Sequence, residues 1–166
     1  MTASDLPAAL RSPWALFALI NHARGTHGVD VERRWAGDLL AIGMASDAVV
    51  ALAILRDEEW LQTVAMVETI LRELHVDPSD TPKLLRLIRS QLALAIENGA
   101  DPRDQARMGM ELASEFHGHP GYDGALDVFY WLDDEFDLVS DGIKPDSSLS
   151  LLGPTQWALK QLREHP

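Results

Sequence analysis

The sequence contains no cysteine among its 166 residues. This absence excludes disulfide bonds, thiolate metal ligands and cysteine nucleophiles. Long apolar runs are missing too, because the longest ones (residues 14–20 and 49–55) are far shorter than the roughly 20 residues that a membrane-spanning helix needs. Residues 1–12 have no basic stretch followed by an apolar one, so they do not predict a signal peptide. We therefore expect a cytoplasmic protein without membrane segments.

Basic residues are scarce. The chain has 14 Lys and Arg against 26 Asp and Glu, which gives a net charge of −12. A surface this negative repels phosphate backbones and anionic membrane surfaces. The composition therefore predicts no nucleic-acid partner and no membrane partner, and it favours a basic protein as the natural partner.

Sequence signatures of catalysis are lacking as well. The chain has no G-x-S-x-G elbow, no phosphate-binding glycine loop and no H-E-x-x-H zinc motif. The chain has many carboxylates, but no spacing between them identifies a pair for acid–base catalysis. Asp57, Glu58 and Glu59 are typical of the first turn of a helix. No catalytic residue and no cofactor is predicted. Whether the chain is an enzyme stays open, with a non-enzyme favoured.

Two histidines are the low-ranking candidates for a metal site. His117 and His119 form an H-x-H pair followed by Asp123, and imidazole and carboxylate groups are ligands for zinc. The same residues, with Gly118 and Pro120, also read as a helix stop and a loop. One alternative function is therefore a metal-dependent helical hydrolase or lyase that uses His117, His119 and carboxylates.

Proline and glycine punctuate the chain in a helical manner. Ser12, Thr81, Asp101 and Gly153 each precede a proline, which is tolerated at the first position of a helix. Glycines follow the helical patterns at residues 25, 43, 99 and 118, where a left-handed conformation ends a helix. The pattern predicts helices over residues 13–24, 30–42, 46–55, 57–75, 82–98, 102–117, 122–140 and 154–164. No period-two alternation indicates a sheet.

These elements predict an all-α fold, an irregular bundle of seven to eight helices. Stacking in the manner of helical repeats is the alternative, although no repeat of 33–47 residues is present. We expect a single domain over residues 1–166, with an N-terminal tail at 1–11 and a loop at 141–153 that leads to a last helix. Trp14, Trp35 and Trp60 occupy apolar helix positions and are predicted to lie in the core.

Residues 108–143 carry nine carboxylates and no Lys or Arg. On a helical wheel of residues 122–140, acidic side chains form one arc with an aromatic border, opposite an apolar face. Like charges at these spacings destabilise a helix by about 0.2–0.5 kcal/mol per pair. Locally unfavourable choices mark functional sites, and aromatic residues are enriched in interfaces. We name the predicted partner-binding set the acidic ridge: Asp123, Asp127, Tyr130, Trp131, Asp134, Asp137 and Asp141.

Two other interpretations of the acidic ridge stay open. It is also compatible with an ordinary solvated helix face in an acidic protein. Alternatively, arginines of neighbouring helices neutralise it within the fold, and the candidates are Arg86, Arg89, Arg103 and Arg107.

The stretch YDGALDVFYWLDDE, residues 122–135, together with the size, the acidity and the absence of cysteine, resembles the small acidic all-helical immunity proteins of bacterial toxin systems. The resemblance implies a non-catalytic protein that masks a basic toxin with an acidic surface. It assigns no individual residue. A third possibility is an oligomeric scaffold module, and the oligomeric state is open.

Overall fold

The structure is a computed structural model that describes residues 6–143 and 152–165. Every regular element in these two ranges is a helix, and they contain no strand, so the all-α, multi-helix prediction is confirmed. Two 3₁₀ helices, Ala8–Leu10 and Asp57–Gln62, accompany the α-helices. The α-helices are α1 (Pro13–Arg24), α2 (Asp30–Ala41), α3 (Asp47–Ala53), α4 (Thr63–Glu73), α5 (Thr81–Glu97), α6 (Pro102–Phe116), α7 (Val128–Ser140) and α8 (Pro154–Glu164).

Local capping explains where the helices begin and end. The side chains of Ser12 and Asp101 accept hydrogen bonds from the backbone of α1 and α6, each with proline at the first helical position. Gly25 ends α1 in the left-handed conformation, with φ +68°. One predicted start is shifted, because Asp80 rather than Thr81 accepts a hydrogen bond from Lys83 N, at 3.0 Å. The helix signals of the sequence are therefore confirmed to within one or two residues here.

The described residues form two compact units, and the boundary falls inside α5, between Gln91 and Leu92. The first unit contains α1 to α4 and the first part of α5, and in it α2 packs on α1 and α3, and α4 on α3 and α1. Its fully buried side chains include Leu10, Leu19, Trp35, Leu39, Leu52, Ile70, Leu71, Leu85 and Ile88.

Part of the predicted N-terminal tail belongs to this core. Leu6 and Leu10 are buried, and the indole Nε1 of Trp35 donates a hydrogen bond to the carbonyl of Ala9 at 3.0 Å. The carbonyl would otherwise be buried without a hydrogen-bond partner. Trp35 therefore fills the core and also provides the donor for the backbone segment in front of α1.

The predicted helix over residues 57–75 is interrupted. Residues Asp57–Gln62 form a 3₁₀ helix with a non-helical conformation at Glu59, and α4 begins only at Thr63. None of the six residues of this 3₁₀ helix is buried. The prediction that Trp60 lies in the core is therefore wrong, since its side chain is 51% exposed. Trp35 is buried as predicted, and Trp14 is half-buried beneath the guanidinium of Arg34.

In the second unit, α7 packs on α6, and α8 contacts both helices. Its buried side chains include Ile96, Leu112, Phe116, Leu126, Phe129, Leu132, Phe136 and Trp157. The last helix packs through Trp157, Ala158 and Leu162. Most of the predicted loop at 141–153 lies outside the described residues. Among the described helices, none has the length and apolar character needed to cross a membrane.

Candidate functional site

The acidic ridge does not follow one continuous helix. The helix predicted over residues 122–140 begins only at Val128, with Asp127 at its N-cap and Asp141 at its C-cap. Gly121 and Gly124, with φ of +85° and +78°, bend the chain in front of the helix. A helical wheel assumes regular geometry from residue 122 onward, so it misplaced the first acidic residues. On α7 itself the ridge retains Tyr130, Trp131, Asp134 and Asp137.

The turn before α7 uses two of the ridge carboxylates for its own structure. Asp123 Oδ1 accepts a hydrogen bond from Ala125 N at 3.2 Å, and the Tyr122 hydroxyl donates to Asp127 Oδ1 at 2.6 Å. Burial, followed by the hydrogen bond to Asp127 and the charge of Asp127, raises the pKa of Tyr122 far above its usual range. Tyr122 is therefore a neutral donor that positions Asp127 at the start of the helix.

Surface exposure distinguishes the members of the ridge. All five of its carboxylates are exposed, Tyr130 is half-buried, and Trp131 is 40% exposed. The ring of Trp131 lies 5.3 Å from that of Trp157 and 5.9 Å from that of His165, measured between centroids. Trp157 is buried and also contacts the Phe136 ring. Trp131 is thus an exposed aromatic side chain supported by an aromatic base.

Neutralisation by neighbouring arginines is partial. Arg107 on α6 places Nη2 3.6 Å from Asp137 Oδ1 and Nε 3.8 Å from Asp133 Oδ1. Arg103 donates to the Ser140 hydroxyl at 3.4 Å, and its guanidinium lies over the Phe136 ring. Asp134 and Asp141 have no ion-pair partner within the described residues.

Asp133 is the residue of this face that sequence reasoning missed. Its side chain is only 13% exposed and lies beside Asp137, four residues later. Burial raises the pKa of Asp133, the charge of Asp137 adds to this, and Arg107 opposes it. The signal in the sequence was the pair of acids at i and i+4 with an arginine on the preceding helix, but only the packing of α6 on α7 brings the three together.

The acidic excess of the chain belongs almost entirely to the second unit. Residues 92–143 and 152–165 contain thirteen carboxylates against four Lys and Arg, whereas residues 6–91 contain eleven against nine. The exposed carboxylates of the ridge therefore lie in a unit whose other charges reinforce their field.

The histidine pair proposed for a metal is exposed. His117 contacts the Tyr122 ring and His119 the Phe116 ring, with centroid distances of 6.2 and 5.4 Å. Across residues 6–143 and 152–165, no group of three or more His, Asp or Glu side chains is arranged to hold a metal ion. His117 and His119 therefore belong to no such group in the described part of the chain.

A second polar cluster lies in the first unit and joins residues from three segments of the chain. Glu32 on α2 is fully buried and accepts a hydrogen bond from Asn21 Nδ2 at 3.1 Å. His27 Nδ1 lies 3.6 Å from Glu32 Oε1, and His27 Nε2 lies 3.3 Å from His22 Nδ1. His22 Nε2 bonds the Pro78 carbonyl at 3.0 Å and must carry the hydrogen, since a carbonyl only accepts. The chain of contacts joins α1, α2 and the turn before α5.

Comparison of the chain with protein-family models, curated proteins and solved structures gave no match. The candidate site therefore rests on the structure of this chain alone. It consists of the exposed carboxylates of α7 and its two caps, together with the Trp131 ring on the same helix. It lies in the unit that holds the excess of negative charge.

Proposed function

We propose that this chain is a non-catalytic cytoplasmic protein that binds and inhibits a basic protein partner, in the manner of immunity proteins that mask a toxin. One observation carries the proposal: Trp131, which is 40% exposed, lies on the same helix as the exposed carboxylates of Asp134 and Asp137, in the unit with thirteen acids and four bases. The resemblance of residues 122–135 to immunity proteins agrees with it.

Trp131 has the properties of an interface anchor. Its ring rests on the buried Trp157 and is therefore held in place before any partner arrives. Tryptophan is among the residues that dominate binding energies, and a preorganised side chain loses little conformational entropy on binding. We expect Trp131 to contribute to the lifetime of the complex.

The carboxylates have a different role. Exposed charges around an anchor mainly steer the encounter and select the partner by its charge. Asp137 and Asp141 also lie in the last turn of α7 and at its C-cap, where negative charge opposes the helix dipole. Lysine or arginine side chains of a basic partner would offset this unfavourable charge arrangement. A basic partner therefore gains an electrostatic contribution to the binding free energy that a neutral partner lacks.

The experiment uses proteins encoded by the reading frames next to the gene whose isoelectric points exceed about 9, a range typical of basic domains. Each is purified and mixed with the wild-type chain and with the variants Trp131→Ala and Asp134→Lys, and calorimetry measures the affinity while stopped-flow mixing measures the association rate. Glu73→Lys is the matched control, because Glu73 is an exposed acid at the end of α4 in the first unit.

We expect one basic neighbour to bind with an association rate that falls steeply as salt is added. Trp131→Ala should weaken binding by about 2 kcal/mol, the usual cost of losing an anchor residue, and Asp134→Lys should slow association. Glu73→Lys should bind like the wild type. If the Trp131→Ala and Asp134→Lys variants bind as strongly as the wild type, the acidic ridge is not the binding surface. If no basic neighbour binds, the proposed function is wrong.

A further inference from the structure

The first unit exposes an unusual concentration of large apolar side chains. Among the described residues ten such side chains are exposed, and six of them lie between residues 40 and 61. They occupy the end of α2, the outer side of α3 and the 3₁₀ helix that follows, and α2 packs directly on α3. We call these six the α3 surface: Leu40, Ile42, Val50, Ile54, Trp60 and Leu61.

Helical spacing separates the α3 surface from the core. On α3, Val49 and Leu52 are fully buried, whereas Val50 and the C-cap residue Ile54 are exposed. Ile54 is 76% exposed and Leu61 is 72% exposed. The six residues lie within 22 positions of one another, on elements that follow each other in the chain, and monomeric proteins seldom expose large apolar patches unless the patch serves an interaction.

The 3₁₀ helix that presents Trp60 and Leu61 is held in place by polar contacts. Arg33 on α2 donates to the Leu55 carbonyl at 3.2 Å and forms an ion pair with Asp57 at 3.3 Å. Glu59 Oε2 accepts a hydrogen bond from Arg56 N at 3.1 Å. The exposed apolar side chains therefore project from an ordered turn, which lowers the entropy lost when a partner covers them.

Charge selects the kind of partner. Residues 35–62 contain five carboxylates and one basic residue, Arg56, and of the three acids at 57–59 Asp57 is also paired with Arg33 of α2. Asp57, Glu58 and Glu59 directly precede Trp60 and are exposed. A second copy of the chain would place these acids against each other, and an acidic or anionic partner would meet the same repulsion. The described residues offer no strand edge to an extended peptide, so side chains must supply the contacts.

We propose that the α3 surface binds a basic amphipathic helix of a partner protein, with the apolar face of that helix on Ile54, Trp60 and Leu61 and its flanking lysines or arginines against Asp57–Glu59. This is the mode in which an amphipathic helix is bound through apolar anchors at helical spacing. It does not depend on the acidic ridge, because the α3 surface lies in the other unit.

The test uses the full chain and a synthetic peptide of about 18 residues made of leucine and lysine, with leucines at i, i+3, i+4 and i+7 so that one face is apolar. One control peptide has the same composition in scrambled order, and a second carries glutamate in place of lysine. Calorimetry gives the affinity, and tryptophan fluorescence reports the environment of Trp60. The fluorescence change should disappear in Trp60→Phe.

Variants locate the binding surface. Ile54→Ser with Leu61→Ser should weaken binding of the leucine–lysine peptide by at least about tenfold, the effect expected of anchor residues. Ile143→Ser is the matched control, because Ile143 is 69% exposed and belongs to the second unit. Glu58→Lys tests the contribution of charge and leaves the apolar residues unchanged. It should weaken peptide binding and reduce the change of affinity with salt concentration. Circular dichroism confirms that each variant is folded.

Binding of the scrambled peptide with equal affinity would overturn the proposal, since the apolar face would then be irrelevant. Equal losses in Ile143→Ser and in the Ile54/Leu61 variant would overturn it as well. If light scattering shows a dimer that Ile54→Ser with Leu61→Ser dissociates, the surface binds a second copy and the basic helix is the wrong occupant. Loss of peptide binding in Trp131→Ala, with Ile54→Ser and Leu61→Ser unaffected, would assign the peptide to the acidic ridge instead.

Discussion

Phe129 lies directly against the backbone of Gly109. A β-carbon on residue 109 would stand 2.5 Å from Phe129 Cδ2 and 2.7 Å from Cδ1, and closer still to Cγ. Glycine at this position lets α6 and α7 approach closely enough for the ring to fill the space between them. The same approach brings Arg107 on α6 to Asp133 and Asp137 on α7. The candidate surface on α7 therefore depends on one residue without a side chain.

Gly109→Ala should lower the free energy of unfolding by about 1–3 kcal/mol, the usual cost of overpacking a core. Gly37→Ala is the matched control, because Gly37 also lies within a helix but has nothing within 4 Å of the position of a β-carbon. That variant should gain about 0.5–1 kcal/mol from the better helix propensity of alanine. Urea unfolding measures both, and equal effects of the two changes would contradict the close contact.

Asp133→Asn should raise stability at neutral pH. Burial and the charge of Asp137 raise the pKa of Asp133 above its unfolded value of 3.8, so the folded state binds this proton more tightly. Its contribution to stability is therefore present below pH 3.8 and is lost as the pH rises through the folded pKa. Asparagine resembles the protonated form at every pH.

The difference in unfolding midpoint between Asp133→Asn and the wild type should consequently be largest near pH 7 and shrink toward pH 3. Asp134→Asn is the control, because Asp134 is exposed on the same helix. A stability gain that does not change with pH would argue against the titration of Asp133 as its cause.

Tyr122→Phe should destabilise the turn in front of α7. The change removes the hydroxyl that donates to Asp127 and keeps the ring, and such a hydrogen bond contributes about 0.5–1.5 kcal/mol. Tyr130→Phe provides the comparison, since it removes the other tyrosine hydroxyl and should stay within about 0.5 kcal/mol of the wild type. Because the pKa of Tyr122 is raised, an alkaline absorbance titration should lose its latest step only in Tyr122→Phe.

Asn21→Ala should cost about 1–3 kcal/mol, because it leaves the fully buried Glu32 without its amide donor. Asn98→Ala, at an exposed position after α5, should have an effect within about 0.5 kcal/mol. Thermal unfolding compares the two variants. A cost for Asn21→Ala as small as that for Asn98→Ala would mean that Glu32 is satisfied without Asn21.

Helix identity was predictable where the signals are local. The Ser12-Pro13 and Asp101-Pro102 pairs place the starts of α1 and α6, because capping involves only neighbouring residues. The wheel for residues 122–140 was less accurate, since it continued the helix across Gly124. The prediction for Trp60 failed for a related reason, because the 3₁₀ turn at Asp57–Gln62 rotates that side chain out of the face it would share in a regular helix.

The all-α class, most helix limits and the strongly acidic character were predictable without a structure, because helical periodicity and capping involve neighbouring residues and charge follows from composition. The packing of helices on one another was needed to bring Arg107 to Asp133 and Asp137, to place Trp157 under Trp131 and to bury Glu32 beside His27. It also placed the exposed apolar residues of the α3 surface on adjoining elements. These relationships join side chains on different helices, and the approach of those helices is set by packing, such as that of Phe129 on Gly109, which no local pattern encodes.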